Sequence, residues 1–229
     1  TLALGAALPM ASRVITRSLG HAGRSVGRVF SVNTTGNVIG ALSAGILILP
    51  TVNLEGLFTV ILLLLAASLT IASGLPGYRH WWSISVIVIV GTLVSPSWDP
   101  LLKMSGLYRF LNQDIGGVEG FRELTLGTRA IFDADDAEMA VGVVERPDGH
   151  RILRVNGKTD GGTHGDVPTQ ILVGQLPAIY HGNPETVLVV GMGTGMTVGS
   201  LLTHETIRQI DVVEISPRIV EASRLFDSW

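Results

Sequence analysis

The sequence predicts a multi-pass α-helical membrane segment, then a small antiparallel β-domain, then the start of an α/β Rossmann-like nucleoside-binding domain that is cut short. Three observations carry that prediction. Residues 1–98 hold three long apolar stretches and almost no charge. Residues 99–165 alternate apolar and polar positions between tight-turn signals. Residues 166–229 contain TVLVVGMGTGMTVGSLLTHETIRQIDVVE (residues 186–214), a strand, a glycine-rich turn, a helix and a second strand that ends on a carboxylate.

The composition divides near Trp98. Before it the formally charged side chains are Arg13, Arg17, Arg24, Arg28, Glu55 and Arg79; after it both signs occur at ordinary density. The mean hydropathy of +0.44 is high for a soluble protein, and the first half causes it. Stretches 30–50 and 56–73 approach the ~20 residues that span a bilayer. Stretch 81–95 is shorter, with Trp81, Trp82 and Trp98 at its ends as interfacial anchors. Residues 2–10 read as the tail of a fourth span. Several hydrophobic stretches without a basic leader segment argue against a signal peptide. Gly36, Gly40, Ala41 and Gly45 set small residues about four apart, a spacing that permits close helix packing in lipid. Asn33 and Asn37 are costly polar groups on the same helix, read as interhelical hydrogen-bond partners.

The chain starts at Thr1 inside an apolar run and stops at Trp229 after one strand–turn–helix–strand–helix unit. A single such unit does not bury both faces of a parallel sheet. The expectation is a fragment, with part of any active site beyond residue 229.

Absences limit the chemistry. There is no cysteine, which excludes disulfides, thiolate metal sites and cysteine nucleophiles. His21, His80, His150, His164, His181 and His204 show no metal-ligand spacing, so no metal is expected. A net charge of −3 with scattered basic residues gives no nucleic-acid footprint.

In the second half, residues 99–120 read as a polar connector with Gly106, Gly116 and Gly117. Residues 126–132, 138–144 and 151–155 read as strands, separated by the acidic turn 133–136 and by Arg146-Pro147-Asp148-Gly149. Asn156-Gly157 offers a further tight turn into residues 158–165. Asp133, Asp135, Asp136 and Glu138 are read as a solvated turn rather than a cation site. Residues 168–180 carry Ile171, Leu172, Leu176 and Ile179 at helical spacing, which predicts a buried face. Asp166 stands where its carboxylate can cap that helix, and Gln170 lies in the first turn. Ser216-Pro217 is an N-cap and first-turn proline for a helix over 217–226.

The glycine-rich segment points to a nucleoside. Gly191, Gly193 and Gly195, with Thr194 between the last two, let the backbone pass close beneath a ligand and accept positive φ. Glu214 ends the next strand about 20 residues on, where an acid in such folds meets a ribose. A carboxylate can accept from both ribose hydroxyls.

The run VNGKTDGGTHGDVPTQILVGQLPAIYHGNPETVLVVGMGTGMTVGSLLTHETIRQIDVVEISPRIVEASRLF (residues 155–226) resembles the spermidine synthase, or polyamine aminopropyltransferase, family. Its members join a small β-domain to a Rossmann-like domain that binds decarboxylated S-adenosylmethionine. The upstream VGRVFSVNTTGNVIGALSAGILILP (residues 26–50) resembles a membrane-embedded branch in which a multi-pass segment precedes the synthase-like domain. By that resemblance Gly191, Gly193 and Gly195 form the loop under the nucleoside and Glu214 holds the ribose. Gln170 falls at the substrate cleft, and Asp166 falls in an acidic pair before the helix. Thr194 stands where the soluble enzymes have an aspartate, Asp160 where they have a glutamine, and Thr169 where they have a tyrosine. Asp160 and Asp166 are the candidates to hold the substrate amines. The family's catalytic aspartate belongs to a later strand, expected beyond residue 229.

The reaction so implied transfers an aminopropyl group to a polyamine or other small amine. A methyltransferase using S-adenosylmethionine is the first alternative, because the same loop and acid serve both donors. A non-catalytic nucleoside-sensing or transport membrane protein is the second. The implied partners are the amine and the lipid bilayer, with a homo-oligomer also compatible. For orientation two arguments oppose each other. The cluster of Arg13, Arg17, Arg24 and Arg28 places its loop in the cytoplasm by the positive-inside rule, which after three crossings puts the soluble half outside. The donor is a cytoplasmic metabolite, and this predicts a protein of the cell membrane with a cytoplasmic soluble half.

Overall fold

The computed structural model describes residues 2–16, 19–74, 79–107 and 117–227. Arg17 and Gly116 therefore lie outside the described residues. The chain forms two compact units, Thr1–Thr51 and Val52–Trp229.

The first unit is helical: α1 (Leu2–Ile15), a 3₁₀ turn (Leu19–His21), α2 (Ala22–Leu42) and a π-helical segment (Ser43–Ile48). Helix α2 starts earlier than the apolar stretch suggests, because it extends back through Arg24 and Arg28. Ser31 Oγ donates to the Gly27 carbonyl (2.9 Å), which satisfies a hydroxyl without a tertiary partner. Gly36, Gly40 and Gly45 face open space within 4 Å, and Asn33 and Asn37 are exposed. The close packing expected of the small residues has no counterpart among the described residues.

Helix α3 (Leu49–Ser73) leaves helical geometry at Asn53, with φ 61° and ψ −178°. The helical run Ala22–Ser73, broken in geometry at Asn53, is long and apolar enough by length and composition to cross a membrane. At that break Asn53 caps the helical turns after it: its Oδ1 accepts from Gly56 N–H (3.0 Å), as an N-cap side chain does.

Within the second unit, residues 54–73 and α4 (Trp81–Val94) run antiparallel. The Ser85 and Thr70 hydroxyls lie 2.7 Å apart, and both reach the Ala66 carbonyl, at 2.7 and 2.9 Å. At the open end Trp98 N–H donates to Glu55 (3.2 Å), and the Phe58 and Trp98 rings stand 5.2 Å apart. With 14 residues, α4 is roughly 21 Å long, shorter than a bilayer's hydrocarbon core.

After α5 (Pro100–Lys103) and α6 (Gly117–Leu124) come β1 (Arg129–Asp135), β2 (Ala140–Glu145), β3 (Arg151–Val155) and β4 (Lys158–Gly162). They form one antiparallel sheet in sequence order. The β3–β4 turn has positive φ at both Asn156 (49°) and Gly157 (75°), the conformation that suits the twist of a two-residue hairpin. Strand β1 starts at Arg129 rather than near Leu126. A turn comes first, in which Thr128 N–H donates to the Thr125 carbonyl (2.8 Å).

The acidic turn is solvated at Asp133 and Glu138 but not at its centre. Asp135 and Asp136 are 5% and 7% exposed. Lys103 Nζ sits 2.8 Å from both Asp133 and Asp135, and Leu54 N–H donates to Asp135 (2.8 Å). That N–H is free because the helix breaks one residue earlier. Burial opposes the Lys103 ammonium, but the bonds to Asp133 and Asp135 prevail and raise its pKa above the ordinary 10.5.

The last part is α/β. Helix α7 (Val167–His181) leads to β5 (Thr186–Val190), α8 (Met196–Leu201), β6 (Gln209–Val213), α9 (Pro217–Ser223) and a 3₁₀ turn (Arg224–Phe226). Strands β5 and β6 pair in parallel, from Thr186↔Gln209 to Val190↔Val213. The core lies between the antiparallel sheet and α9, where Val141, Val143 and Leu153 meet Ile219, Ala222 and Phe226. Each large side chain so buried contributes about 1.5–3 kcal/mol.

The predicted buried face of α7 is not found. Ile171, Leu172, Leu176 and Ile179 are exposed. The helix turns its small residues inward instead: Gly174 and Ala178 are buried, and a Cβ on Gly174 would meet Ser200 Oγ and the Thr197 carbonyl at 3.1 Å. Close approach to α8 thus needs the small side.

Candidate functional site

The site starts at the turn between β5 and α8. Gly191, Gly193 and Gly195 have φ of 87°, 56° and 84°, values at which a side chain is strained. Nothing lies within 4 Å of where a Cβ would stand on any of the three. The conformation requires glycine, while the space above the loop is open.

Glu214 comes directly after β6, which pairs alongside β5. Its Oε2 accepts from Met192 N–H (2.8 Å) in the glycine turn, and its Oε1 accepts from Ser216 N–H (3.0 Å). Two backbone donors therefore fix the carboxylate, and each oxygen keeps a lone pair for another donor.

Gln170 joins the two parts of the cleft. Its Nε2 donates to the Gly162 carbonyl at the end of β4 (2.9 Å), and its Oε1 accepts from the Thr194 hydroxyl. Its own carbonyl accepts from Thr197 Oγ1 (2.7 Å). Thr194 is 6% exposed. Thr194 is thus committed to an internal bond. Gly161 makes room for it, since a Cβ there would meet both Gln170 Oε1 and Thr194 Cγ2 at 2.9 Å.

Asp160, Gln170, Gly191, Gly193, Thr194 and Glu214 line one cavity of about 350 Å³, with Met139, Leu153, Val155, Met192, Thr197 and Ile219 as the rest of its wall. Gly195 borders an adjoining cavity with Ile171, Met192 and Phe226. The wall is mixed, with apolar side chains beside Gln170, two threonines and two carboxylates, Asp160 and Glu214. Asp160 is engaged by Lys158 Nζ at 2.7 Å, so an amine seeking it competes with the chain's own ammonium.

Asp166 departs from expectation. It precedes α7, but its backbone is helical (φ −83°, ψ −15°) and its side chain makes no capping bond. The preferred cap conformation is extended, and Asp166 does not adopt it. Only its carbonyl serves, accepting from Gln170 N–H (3.0 Å). Asp166 is exposed and is not part of the cavity wall. Ser216 does cap α9, its hydroxyl accepting from Ile219 N–H (3.3 Å).

Sequence reasoning placed Asp136 in a solvated turn, whereas it is buried. Its carboxylate accepts from the Ser216 hydroxyl, two residues from Glu214. No local signal announces that pairing, because the partners are 80 residues apart. Among the described residues, no group of three or more histidine, aspartate or glutamate side chains is placed to hold a metal ion.

Comparisons with known proteins fall on this part of the chain. Residues 168–226 match the spermine/spermidine synthase domain. Putrescine N-methyltransferase 2 of Nicotiana tabacum is 34% identical over 76 residues, which cover 33% of this chain and 22% of that protein. The polyamine aminopropyltransferase of Methanocaldococcus jannaschii is 34% identical over 55 residues, 24% of this chain and 19% of that one. The matched stretch thus spans about a fifth of the length of these curated relatives. A solved spermidine synthase from Thermotoga maritima aligns with a TM-score of 0.40 and 25% identity, covering 42% of this chain and 33% of the other. The stretch that matches the spermine/spermidine synthase domain thus runs from the first turn of α7 to the 3₁₀ turn after α9 and contains the glycine turn and Glu214.

Proposed function

We propose that this chain is part of a membrane-bound, spermidine synthase-like transferase that moves an aminopropyl group from decarboxylated S-adenosylmethionine to a polyamine amine. The observation that carries the reading is Glu214. It is oriented by two backbone N–H groups beside an open glycine turn, inside the stretch that matches the synthase domain.

The chemistry needs little from the protein. A neutral primary amine attacks the carbon next to the sulfonium sulfur; the nitrogen lone pair forms the N–C bond. The C–S bond breaks with its electrons on sulfur, which leaves as neutral methylthioadenosine, and the new ammonium gives up a proton. The leaving group is activated beforehand, so orientation and proton removal are the protein's tasks. In this reading Glu214 accepts from the ribose hydroxyls, and the turn 191–195 supports the nucleoside. Asp160 attracts the cationic end of the amine in exchange for Lys158. The base that takes the proton is not assigned to a residue of this chain.

Methyl transfer is the second reading, and one observation favours it: the tobacco relatives named putrescine N-methyltransferase match at the same identity as the aminopropyltransferase. Both readings share the acceptor class, a small diamine. Incubating the full-length protein with putrescine and each labelled donor tests them. The primary reading expects label from the aminopropyl donor in spermidine; label only from S-adenosylmethionine, in N-methylputrescine, transfers the assignment to the second. No transfer from either contradicts both.

We further place the protein in the cell membrane with its second half in the cytoplasm. The apolar, exposed surfaces of Ala22–Ser73 and Trp81–Val94 support insertion, and the cytoplasmic supply of the donor supports the orientation.

A further inference from the structure

Asp136 lies between β1 and β2, 7% exposed. Three donors converge on its carboxylate: Glu138 N–H (3.0 Å) and Met139 N–H (2.9 Å) at Oδ1, and the Ser216 hydroxyl at Oδ2. Ser216 is fully buried. Its oxygen receives Ile219 N–H (3.3 Å), and its own N–H donates to Glu214 Oε1 (3.0 Å). The other oxygen of Glu214 receives Met192 N–H (2.8 Å) from the glycine turn. A chain of hydrogen bonds thus runs from the β-domain to the cavity wall through one serine.

Holding α9 on the sheet does not require this arrangement. Ile219, Ala222 and Phe226 already pack on Val141, Val143 and Leu153. A serine cap also works without a buried carboxylate behind it, since it needs only to accept a backbone N–H. What the carboxylate adds is direction. With its proton committed to Asp136, the Ser216 oxygen presents lone pairs to α9, and the backbone from Val213 to Pro217 has one favoured path. Along that path Ser216 N–H meets Glu214.

We propose that Asp136 is a positioning residue for Glu214, acting through Ser216 to hold the carboxylate in the orientation that receives a ribose. The role rests on the donor-site reading, while the geometry can be tested without ligand. Asp136→Asn keeps the size but offers a single acceptor oxygen to donors arriving from two sides, so one side faces an amide N–H in either orientation. Ser216→Ala removes the same link from the other end, and Ser216→Thr restores the hydroxyl.

The experiment monitors amide hydrogen exchange at Met192 in the full-length protein without ligand, alongside calorimetric titration with methylthioadenosine. In Asp136→Asn and Ser216→Ala, Met192 exchange is expected to rise and affinity to fall, each by about tenfold. Ser216→Thr is expected to stay near the wild type. In a Glu214→Gln background, Asp136→Asn is expected to cost no further affinity, because its route is already cut. Unchanged Met192 exchange, or a loss that multiplies on top of Glu214→Gln, overturns the proposal. If the wild type binds no methylthioadenosine while Met192 exchange still rises in the variants, the donor-site reading fails and the link from Asp136 to Glu214 stands.

Discussion

The two sheets of the second unit face opposite situations. In the antiparallel sheet Val143 and Leu153 are wholly buried under α9. In the parallel pair Leu188 and Val190 on β5 remain 63% and 80% exposed. The first sheet is a closed structure with its energy stored in packing. The second is a pair of parallel strands whose ends carry the glycine turn and Glu214, joined there by the bond from Met192 N–H to the carboxylate. Changes in the first should therefore register as stability, and changes at the ends of the second as ligand affinity.

The largest expected effect on affinity breaks the second sheet's loop. Gly193→Val forces a β-branched residue to φ 56° and fills the open space above the turn. Calorimetric titration with methylthioadenosine is expected to show no measurable binding, with thermal stability of the β-domain little changed. Normal binding would mean that the turn does not approach the ligand.

The matching change in the first sheet is Leu153→Ala. It removes a fully buried side chain that packs on α9 and is expected to cost about 2–5 kcal/mol. Chemical denaturation measures this. Because Leu153 also borders the cavity, some loss of affinity accompanies it. A variant that loses affinity without losing stability would erase the contrast between the two sheets.

Membrane orientation extends the comparison to the apolar hairpin. Residue 54 bonds to Asp135 and residue 55 to the backbone of Trp98, so both open ends of the hairpin lie at the antiparallel sheet. Alkaline phosphatase fused after residue 229 and expressed in bacteria is expected to be inactive, as that enzyme works only outside the cytoplasm. Strong activity of this fusion contradicts a cytoplasmic second half.

A smaller effect concerns pH. Lys103 has a raised pKa in the folded chain because Asp133 and Asp135 hold its ammonium. A raised value means that its stabilisation is complete below the ordinary 10.5 and is lost as pH rises through the folded-state value. Lys103→Met is expected to cost about 1–2 kcal/mol near neutral pH. The difference in melting temperature from the wild type should shrink above pH 10.5. A difference that persists there shows that the methylene stem, and not the charge, does the stabilising.

What the sequence discloses depends on the range of the interactions. Strand β3 falls at Arg151–Val155, where alternation and flanking turn signals place it, and Ser216-Pro217 starts α9 as its cap chemistry indicates. The glycine turn and Glu214 are adjacent because a strand, a short helix and a strand bring them together. The burial of the acidic turn is not legible locally, because Leu54 and Ser216, the partners of Asp135 and Asp136, are 81 and 80 residues away. Asp166 has the residue type of a cap without its geometry, since a cap also requires a backbone angle. The orientation of α7 escapes the periodicity because one glycine, Gly174, outweighs the apolar pattern of its larger neighbours.

The central claim is that Glu214 receives the ribose of an adenosyl thioether. Glu214→Gln keeps the shape and removes the charge that strengthens both hydrogen bonds, and calorimetric titration of the full-length protein with methylthioadenosine measures the consequence. Affinity is expected to fall roughly tenfold or more. Equal binding by wild type and Glu214→Gln would make this carboxylate a support for the turn alone and contradict the donor-site account.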